Sequence, residues 1–414
     1  MKIMFVVKSK AIEPLGAMYL SAVAKQSGDE STIVSFENAQ RVAQEWKPNA
    51  IGYSVMTGDQ LKLIHLNNRI VKASDRRPIT IFGGPHPTFF PSEFTGKKNI
   101  DLVVRGEGEQ WLSKFLGSDR EYPDLDSIPF PDRTDFPGLA MRDFITSRGC
   151  PNACGYCYSQ RFAELYPELP RVRFRSVENV IQEIESVRPA FAYFQDSCFG
   201  VSLEWLRGFS AEYKERIGVP FHCHLRPNQA TEERVRLLAN AGCASVRIAL
   251  ETKSERLRTL LRRGKMSLGD VQDAAIRFKE YGIKLMIQNM LAIPTSTIED
   301  DLETLEFNIK CKPDYAWSSI FSPFPGTALG DMCIQKGWYK GDYSDITDCF
   351  FDRSVLNFDD LYKEQTYYLQ KMFALCVETG YLPNPSELTA EAFPKTIHKI
   401  TRRVGDRRLY RGIL

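Results

Sequence analysis

Three cysteines lie close together in the stretch "SRGCPNACGYCYSQ", at Cys150, Cys154 and Cys157. Thiolates bind iron–sulfur clusters and zinc in proteins. A structural zinc ion takes four protein ligands, but no cysteine or histidine follows within the next forty residues. Three ligands on a four-iron cluster would leave one iron open to a substrate or cofactor. The alternative is a set of buried apolar cysteines, but these seldom gather on a loop rich in glycine and proline.

The elements that would position this loop follow a repeating pattern. From residue 141 to residue 335, six apolar strands alternate with helical stretches, beginning with "DFITSRG" directly before the cysteines. Six βα units predict a six-stranded partial (β/α)6 barrel of the TIM type, whose chemistry lies at the carboxyl ends of the strands. Polar residues follow these strands at Asp196, Ser197, Arg226, Glu251, Gln288 and Asn289.

Several of these residues also have a structural interpretation. Asp196 or Ser197 could cap the helix that follows. Arg226 and Glu251 could form an ion pair that binds no ligand.

Two other groups of polar residues have simpler explanations than ligand binding. His222 and His224 share one face of a strand, where satisfied barrel-lining histidines are a simpler interpretation than a metal site. The run "RRGK", at residues 262–265, is most simply a solvated helix end.

Residues 1–125 show a second pattern, in which five near-continuous apolar strands alternate with helices. This predicts an α/β domain with a doubly wound, Rossmann-like parallel sheet and a ligand site at the carboxyl ends of its strands. Glycine there lets a bulky planar ligand approach the backbone, although a tight turn alone would also explain the glycines. The candidate contacts are Glu13, Leu15, Gly16, Thr57, Gly83, Gly84, Pro85, His86, Gly106 and Glu107.

The remaining segments complete the predicted domain organisation. Residues 126–140 are rich in Pro and Asp and predict a linker, and residues 141–335 form the barrel. Residues 336–414 look helical and aromatic-rich, and we expect them to cap the barrel and shape a substrate pocket. The basic run at residues 395–412 is most simply a solvated face.

The cysteine trio, with Tyr156 before its third member, resembles the signature of the radical S-adenosylmethionine (SAM) enzymes. The stretches "CHLRPNQATEERVRLLANAGCASVRIALET", "EPLGAMYLSAV", "FGGPHPTFFP" and "DLVVRGEGE" are similar to the subgroup with an N-terminal cobalamin-binding domain. The similarity covers most of residues 1–330.

The resemblance implies three cofactors: a 4Fe–4S cluster on the three cysteines, SAM and cobalamin. In this family the open iron binds SAM, and one electron cleaves it to a 5′-deoxyadenosyl radical. The resemblance implies that SAM contacts Tyr156 and the six polar residues at the barrel strand ends. It implies cobalamin contacts at the ten candidate positions of the first domain.

The activity implied by the resemblance is methylation of an unactivated carbon through methylcobalamin. Cyclisation or ring contraction without methyl transfer is the alternative, and a cobalamin- or SAM-responsive binding protein is disfavoured by the cysteine trio. The Asp-x-His-x-x-Gly motif of classical cobalamin proteins is absent. Cobalamin would therefore bind without a protein histidine on cobalt, or the domain has lost its cofactor.

Composition limits the partners. The chain has 414 residues and a formal net charge of +2, which gives no general argument for nucleic-acid binding. No apolar stretch is long enough to span a bilayer, and the N-terminus lacks signal-peptide features, so we expect a cytoplasmic protein. The resemblance implies a small-molecule or peptide substrate and a low-potential electron donor such as a flavodoxin or ferredoxin.

Overall fold

Short stretches rich in Val and Ile form the strands of this protein, and amphipathic stretches between them form the helices. The computed structural model describes residues 1–346 and 349–404. The chain divides into two compact units, formed by residues 1–146 with 173–192 and by residues 147–172 with 193–414. The division expected at residues 125, 140 and 335 stays a prediction.

The N-terminal region contains a five-stranded parallel sheet in the order β2-β1-β3-β4-β5. This is the predicted doubly wound sheet. Its elements are β1 (Lys2–Val7), α1 (Leu15–Gln26), β2 (Glu30–Ser35), α2 (Ala39–Trp46), β3 (Ala50–Ser54), α3 (Gln60–Ala73), β4 (Ile79–Gly83), α4 (Pro85–Phe89), β5 (Leu102–Val103) and α5 (Glu109–Phe115).

Both faces of this sheet are buried, as its near-continuous apolar strands require. Along β1, Ile3 and Phe5 belong to an apolar cluster with residues of α1 and α5. Met4 and Val6 belong to the opposite cluster, with residues of α2 and α3. Successive side chains of a strand point to opposite faces, so a strand covered on both sides must be apolar throughout.

The second sheet is the predicted six-stranded partial barrel, in the order β13-β12-β11-β10-β9-β6. Its strands from β10 to β13 pair in parallel. The elements here are β6 (Met141–Phe144), β7 (Ser147–Gly149), α6 (Tyr158–Leu165), β8 (Val172–Phe174), α7 (Val177–Val187), β9 (Phe191–Phe194), α8 (Leu203–Arg216), β10 (Phe221–Leu225), α9 (Glu232–Asn240), β11 (Cys243–Glu251), α10 (Glu255–Leu260), α11 (Leu268–Glu280), β12 (Lys284–Leu291), α12 (Ile298–Cys311) and β13 (Tyr315–Ile320).

The first barrel strand differs from the sequence expectation. The stretch "DFITSRG" was predicted as one strand, but it is divided between β6 and β7. β7 pairs with β8 in a separate two-stranded sheet. The cysteines therefore follow a short strand outside the six-stranded sheet.

The C-terminal helices are α13 (Ala328–Gln335), α14 (Asp360–Thr379) and α15 (Phe393–Val404). In α14, Leu369 and Phe373 pack with Leu305 of α12 and Ile320 of β13. This helix therefore extends the outer helical layer, because its apolar side is buried against β13 and α12. A capping role for residues 336–414 stays a prediction, and the basic run beyond residue 404 lies outside the described residues. None of the described helices is both long and apolar enough to cross a membrane.

Candidate functional site

Gly149 ends β7 and turns the chain into the cysteine loop, which we define as residues 150–157. Its φ is +100°, and a Cβ atom there would lie 2.0 Å from the carbonyl oxygen of Arg171, so only glycine fits. Further along, Gly155 N–H donates to the Leu261 carbonyl at 3.0 Å, and Leu329 N–H donates to the Gly155 carbonyl at 2.8 Å. These backbone bonds tie the loop to two distant parts of the same unit.

The three loop cysteines are half-buried free thiols. Burial raises the pKa of Cys157, and the neighbouring thiols of Cys154 and Cys150 raise it further. Metal ligation requires the thiolate form, which hydrogen-bond donors stabilise. Each sulfur has such a donor nearby: Asn152 Nδ2 at 3.6 Å from Cys150, Arg263 Nη1 at 3.8 Å from Cys154 and Ser159 N–H at 3.5 Å from Cys157.

Among the described residues, no three His, Cys, Asp or Glu side chains converge as ligands of a single metal ion. A mononuclear zinc site needs its ligands around one centre. A 4Fe–4S cluster distributes its thiolates over several iron atoms. Three thiols on one short loop, with a hydrogen-bond donor near each sulfur, fit the thiolate ligands of such a cluster.

Tyr156 connects the cysteine loop to the end of β11. Its hydroxyl donates to Glu251 Oε1 at 2.6 Å, and Arg263 Nη1 donates to the same hydroxyl at 3.3 Å. Arg263 also pairs with Glu251 at 3.8 Å. Burial would lower the pKa of Arg263, but Tyr156 and Glu251 raise it above its usual value, so Arg263 stays charged.

Arg263 is a site residue that the sequence interpretation missed. The run at residues 262–265 was expected to be solvated, but Arg263 is only 5% exposed. Its Nη2 also donates to the Ala249 carbonyl. The expectation was wrong for Arg263 because its partners lie on β11 and on the cysteine loop, which are far away in sequence.

Asp196 follows β9 and is fully buried, with Ser147 Oγ donating to its Oδ1 at 2.5 Å. Ser197 beside it is exposed. Neither residue caps α8, because the N-cap is Ser202, whose Oγ accepts from the Trp205 N–H at 3.2 Å. The capping alternative is therefore wrong, and Asp196 remains a candidate for ligand contact.

Arg226 follows β10 and is 9% exposed. Its Nη1 donates to Asn152 Oδ1 at 2.5 Å, which brings the guanidinium to the cysteine loop. Its Nε is buried and has no hydrogen-bond partner in the structure. A buried guanidinium with an unused donor, next to the loop, suits a ligand carboxylate.

Gln288 and Asn289 are consecutive residues of β12 and therefore point to opposite faces. Asn289 is fully buried, where its amide donates to Asn308 Oδ1 and to the Trp317 carbonyl, both at 3.1 Å. Asn308 donates back to Asn289 at 2.8 Å. These bonds hold α12 on the sheet, so we retain only Gln288 as a candidate SAM contact from this strand.

In the N-terminal domain, His86 is fully buried and both ring nitrogens have partners. Nδ1 lies 2.9 Å from Thr57 Oγ1, and Nε2 lies 3.1 Å from Glu93 Oε2. Neither nitrogen is left to ligate cobalt, and Thr57 is joined to the same network. Pro85, the residue before His86, begins α4 directly after Gly84.

Glu13 has a structural role that the sequence did not indicate. Its carboxylate, only 4% exposed, pairs with Arg133 and with Arg142, the latter at 2.7 Å. The Asp143 N–H donates to it at 2.8 Å. Because its oxygens are bound in these contacts, the predicted contact of Glu13 with cobalamin is not supported by its geometry.

The glycines at this sheet edge differ in what requires them. Gly84 has φ +98°, and a Cβ atom would lie 2.9 Å from Val55 N, so the fold itself needs glycine there. Gly83 meets nothing closer than 3.7 Å, and exposed Gly16 meets nothing within 4 Å. Glycine does not stabilise helix α1 at position 16. Close approach of a ligand to the first turn of α1 would explain why glycine stands there.

The other predicted contacts of this domain lie at the same edge. Leu15 is half-buried, begins α1 and packs against the apolar cluster that contains Ile3 and Phe5. Gly106 has φ +74° and its N–H donates to Thr88 Oγ1 at 2.9 Å. Glu107 pairs with Arg173. Two apolar side chains that were not predicted, Ile12 and Met56, are 63% and 52% exposed after β1 and β3, where they could contact a planar apolar ligand.

Two family models match the chain in succession. A model of the B12 binding domain matches residues 1–116, and a model of the Radical SAM superfamily matches residues 144–307. The second match contains the cysteine loop, Asp196, Arg226 and Glu251.

Similar proteins are found among curated sequences and solved structures. An uncharacterised methyltransferase of Pyrococcus horikoshii is 26% identical over 78% of this chain and 78% of its own length. The cytidylyl-2-hydroxyethylphosphonate methyltransferase of Streptomyces wedmorensis is 22% identical over 80% of this chain and 79% of its own length. The structure of the radical SAM methyltransferase TsrM from Kitasatospora setae, with cobalamin and a 4Fe–4S cluster bound, superimposes with a TM-score of 0.67. It is 17% identical and covers 81% of this chain and 78% of TsrM, which is a likeness of fold.

Proposed function

The chain belongs to the radical SAM superfamily, in the group with an N-terminal B12-binding domain, and we propose that it methylates an unactivated carbon of its substrate. The cofactors that accompany these two domains are a 4Fe–4S cluster, SAM and cobalamin. The observation that carries the proposal is the fixed loop with three thiols, in a chain that also has the B12-binding domain. Two relatives named as methyltransferases support methyl transfer as the outcome.

The residues around the loop fit a cluster with SAM. Cys150, Cys154 and Cys157 would hold the iron, and the donors to their sulfurs would stabilise the thiolate charge. When bound, the cluster and SAM would supply radical chemistry at the substrate carbon, and cobalamin would supply the methyl group. Every other task, from orientation to the exclusion of water, belongs to the protein.

The polar side chains next to the loop would orient SAM. Asp196 can accept hydrogen bonds from an ammonium group, and Arg226 offers an unused donor to a carboxylate. Arg263, Tyr156 and Glu251 fix one another, so Glu251 presents its carboxylate in one position. Small errors in the placement of reacting groups reduce rates strongly, roughly a hundred-fold for 1 Å.

The open edge of the N-terminal sheet would hold cobalamin. Gly16 leaves space at the first turn of α1, and Ile12 and Met56 offer apolar contacts. His86 is fully engaged by Thr57 and Glu93, so we expect cobalt to have no histidine ligand from this domain.

Product analysis tests the proposal. The full-length protein, reconstituted with iron, sulfide and cobalamin, is incubated with SAM, extracts that supply candidate substrates, and either a chemical reductant or a flavodoxin. Methyl transfer predicts S-adenosylhomocysteine together with 5′-deoxyadenosine. Production of 5′-deoxyadenosine alone would indicate cyclisation or rearrangement without methyl transfer, and the absence of both would contradict an enzymatic role.

A further inference from the structure

A row of polar side chains lies on the inner face of the barrel sheet, which we define as the face opposite the helices that cover β10 to β12. On β10, Phe221 is fully buried on the helix side, so the neighbouring His222 and also His224 point to the inner face. The strand register aligns His222 with Ser245 and His224 with Arg247 of β11. None of these residues belongs to the cysteine loop or to the candidate SAM contacts.

These side chains form one connected group with Tyr193 of β9, which we call the inner cluster. His224 Nε2 lies 2.7 Å from Arg247 Nη2 and 3.1 Å from the Tyr193 hydroxyl. The same Arg247 nitrogen donates to the Tyr193 hydroxyl. His222 Nδ1 lies 2.7 Å from Ser245 Oγ, and its ring stacks on Tyr193 at 4.6 Å.

The inner cluster contains one formal charge and no counter-charge. Within the described ranges 1–346 and 349–404, Arg247 forms no ion pair with any Asp or Glu, and its partners are an imidazole and a phenol. Burial, assisted by the charge of Arg247, lowers the pKa of His222 to about 4 and that of His224 to about 3. Both imidazoles are therefore neutral near pH 7, and the guanidinium carries the charge of the cluster.

Two buried nitrogen atoms of the inner cluster also lack hydrogen-bond partners. These atoms are Arg247 Nε and His222 Nε2, and His222 as a whole is only 7% exposed. The interpretation of both histidines as satisfied barrel-lining residues is therefore right for His224 and wrong for His222. It costs free energy to bury a charge without a counter-charge, or polar atoms without hydrogen-bond partners. Binding of a ligand that supplied the counter-charge and the partners would therefore be favoured.

We propose that the inner cluster binds an anionic group of the substrate, a carboxylate or a phosphate, with Arg247 as its main donor and His222 as a second contact. Guanidinium groups suit both anions because their planar fork donates two parallel hydrogen bonds. This inference rests on the proposed function, since it treats the bound molecule as the substrate of the enzyme.

The position of Arg247 along β11 indicates which end of the substrate the inner cluster would bind. Arg247 precedes Glu251 by four residues on β11, which corresponds to about 13 Å along the strand at ~3.3 Å per residue. Glu251 lies at the strand end, hydrogen-bonded to Tyr156 of the cysteine loop. The anionic group would therefore be the end of the substrate far from the loop. Gln288 and Trp317, paired in the register beside Ala249, line the space between.

Anion binding to the full-length reconstituted protein tests this inference. Inorganic phosphate and acetate are titrated separately by calorimetry, at an ionic strength held constant with chloride. We expect one of the two anions to bind with a stoichiometry near one, and the anion that binds identifies a phosphate or a carboxylate site. Arg247→Gln should weaken this binding at least tenfold. Arg207→Gln, which removes an exposed arginine paired with Glu233 in the same unit, should leave it unchanged.

Thermal unfolding provides a second readout that a purely structural arginine would not give. The favoured anion should raise the melting temperature of the wild type and not that of Arg247→Gln, because only the former binds it.

Three results would overturn the inference: binding of neither anion, equal binding by wild type and Arg247→Gln, or an equal rise in the melting temperature of both proteins with the favoured anion. Cleavage of SAM by the wild-type protein is measured in parallel. Anion binding at Arg247 without any SAM cleavage would count against the proposed function alone, and SAM cleavage with anion binding independent of Arg247 would count against this inference alone.

Discussion

The two units of the protein each contain a buried polar cluster, and the two differ in charge balance. In the N-terminal unit, Arg133, Arg142 and Arg175 form ion pairs with Glu13 and Glu183. The Asp143 carboxylate lies beside them and accepts a hydrogen bond from the Glu13 N–H. In the other unit, Arg247 of the inner cluster meets no carboxylate among the described residues.

The difference indicates what each cluster does. A balanced set of buried charges has its partners within the chain and stabilises the fold as long as all members are present. An unbalanced set keeps donors available for a molecule that is not part of the chain. Around the cysteine loop, Arg226 with its unused Nε and the three free thiols are of the second kind, whereas Arg263 and Glu251 pair with each other. Substitutions should therefore affect stability in the first region and ligand binding in the second.

The largest effect is expected from replacing Cys150, Cys154 and Cys157 together by alanine. The variant should lose the broad visible absorption of the reconstituted cluster and all SAM cleavage, because the iron ligands are gone. Its melting temperature without cluster should stay close to that of the wild-type apoprotein. Cys333→Ala is the matched control, since Cys333 is fully buried in an apolar cluster: it should keep the cluster and lose stability. A full complement of iron in the triple variant would refute the ligand assignment.

For Arg133→Met in the balanced cluster, we expect a loss of stability and no loss of ligand binding. The substitution leaves Glu13 and Glu183 buried with fewer positive partners, and the free energy of unfolding should fall by about 3–5 kcal/mol. Urea unfolding measures the free energy of unfolding. The control is Arg41→Met, in an exposed pair with Glu45, for which we expect little change in this free energy. Iron content and SAM binding of the folded Arg133→Met protein should match the wild type. Unchanged stability would show that charge balance does not identify structural clusters here.

The sequence was sufficient for the two sheets and the cysteine loop, because these depend on local patterns. Apolar runs and the helices between them determine where the strands lie, and the spacing of Cys150, Cys154 and Cys157 is contiguous in the chain. The partners of single polar side chains were not predictable in the same way. Glu13 meets Arg133 from 120 residues away, and Asn289 meets Asn308 on a different element. Which polar residues are free for a ligand follows only from such contacts.

A smaller effect on SAM binding is expected for Asp196→Ala and Glu251→Ala, and the second variant also leaves the buried Arg263 without its carboxylate partner. Glu251→Ala removes a carboxylate bonded to Tyr156 of the cysteine loop, and Asp196→Ala removes one bonded to Ser147 of β7. SAM binding should weaken roughly tenfold in each, the loss expected for one hydrogen bond to a charged group. Formation of 5′-deoxyadenosine should fall as well, with iron content unchanged. Calorimetry with SAM and an iron assay measure both quantities, and Glu303→Ala, at an exposed position of the same unit, is the control. If both variants bind and cleave SAM as the wild type does, these carboxylates stabilise the fold and do not contact SAM.

The smallest effect on a cofactor is expected at His86. Both ring nitrogens are used within the N-terminal domain, by Thr57 and Glu93, so His86 resembles the balanced cluster although it lies at the candidate cobalamin edge. His86→Gln should therefore retain cobalamin and lose about 1 kcal/mol of stability through its weakened hydrogen bonds. His65→Gln, at the other and exposed histidine of this domain, should change neither quantity. Electron paramagnetic resonance of the cob(II)alamin form should show no nitrogen splitting from the protein in any of the three. A nitrogen signature in the wild type that disappears in His86→Gln would mean that His86 leaves its partners to ligate cobalt. If none of the three proteins binds cobalamin, the assignment of cobalamin as a cofactor is wrong.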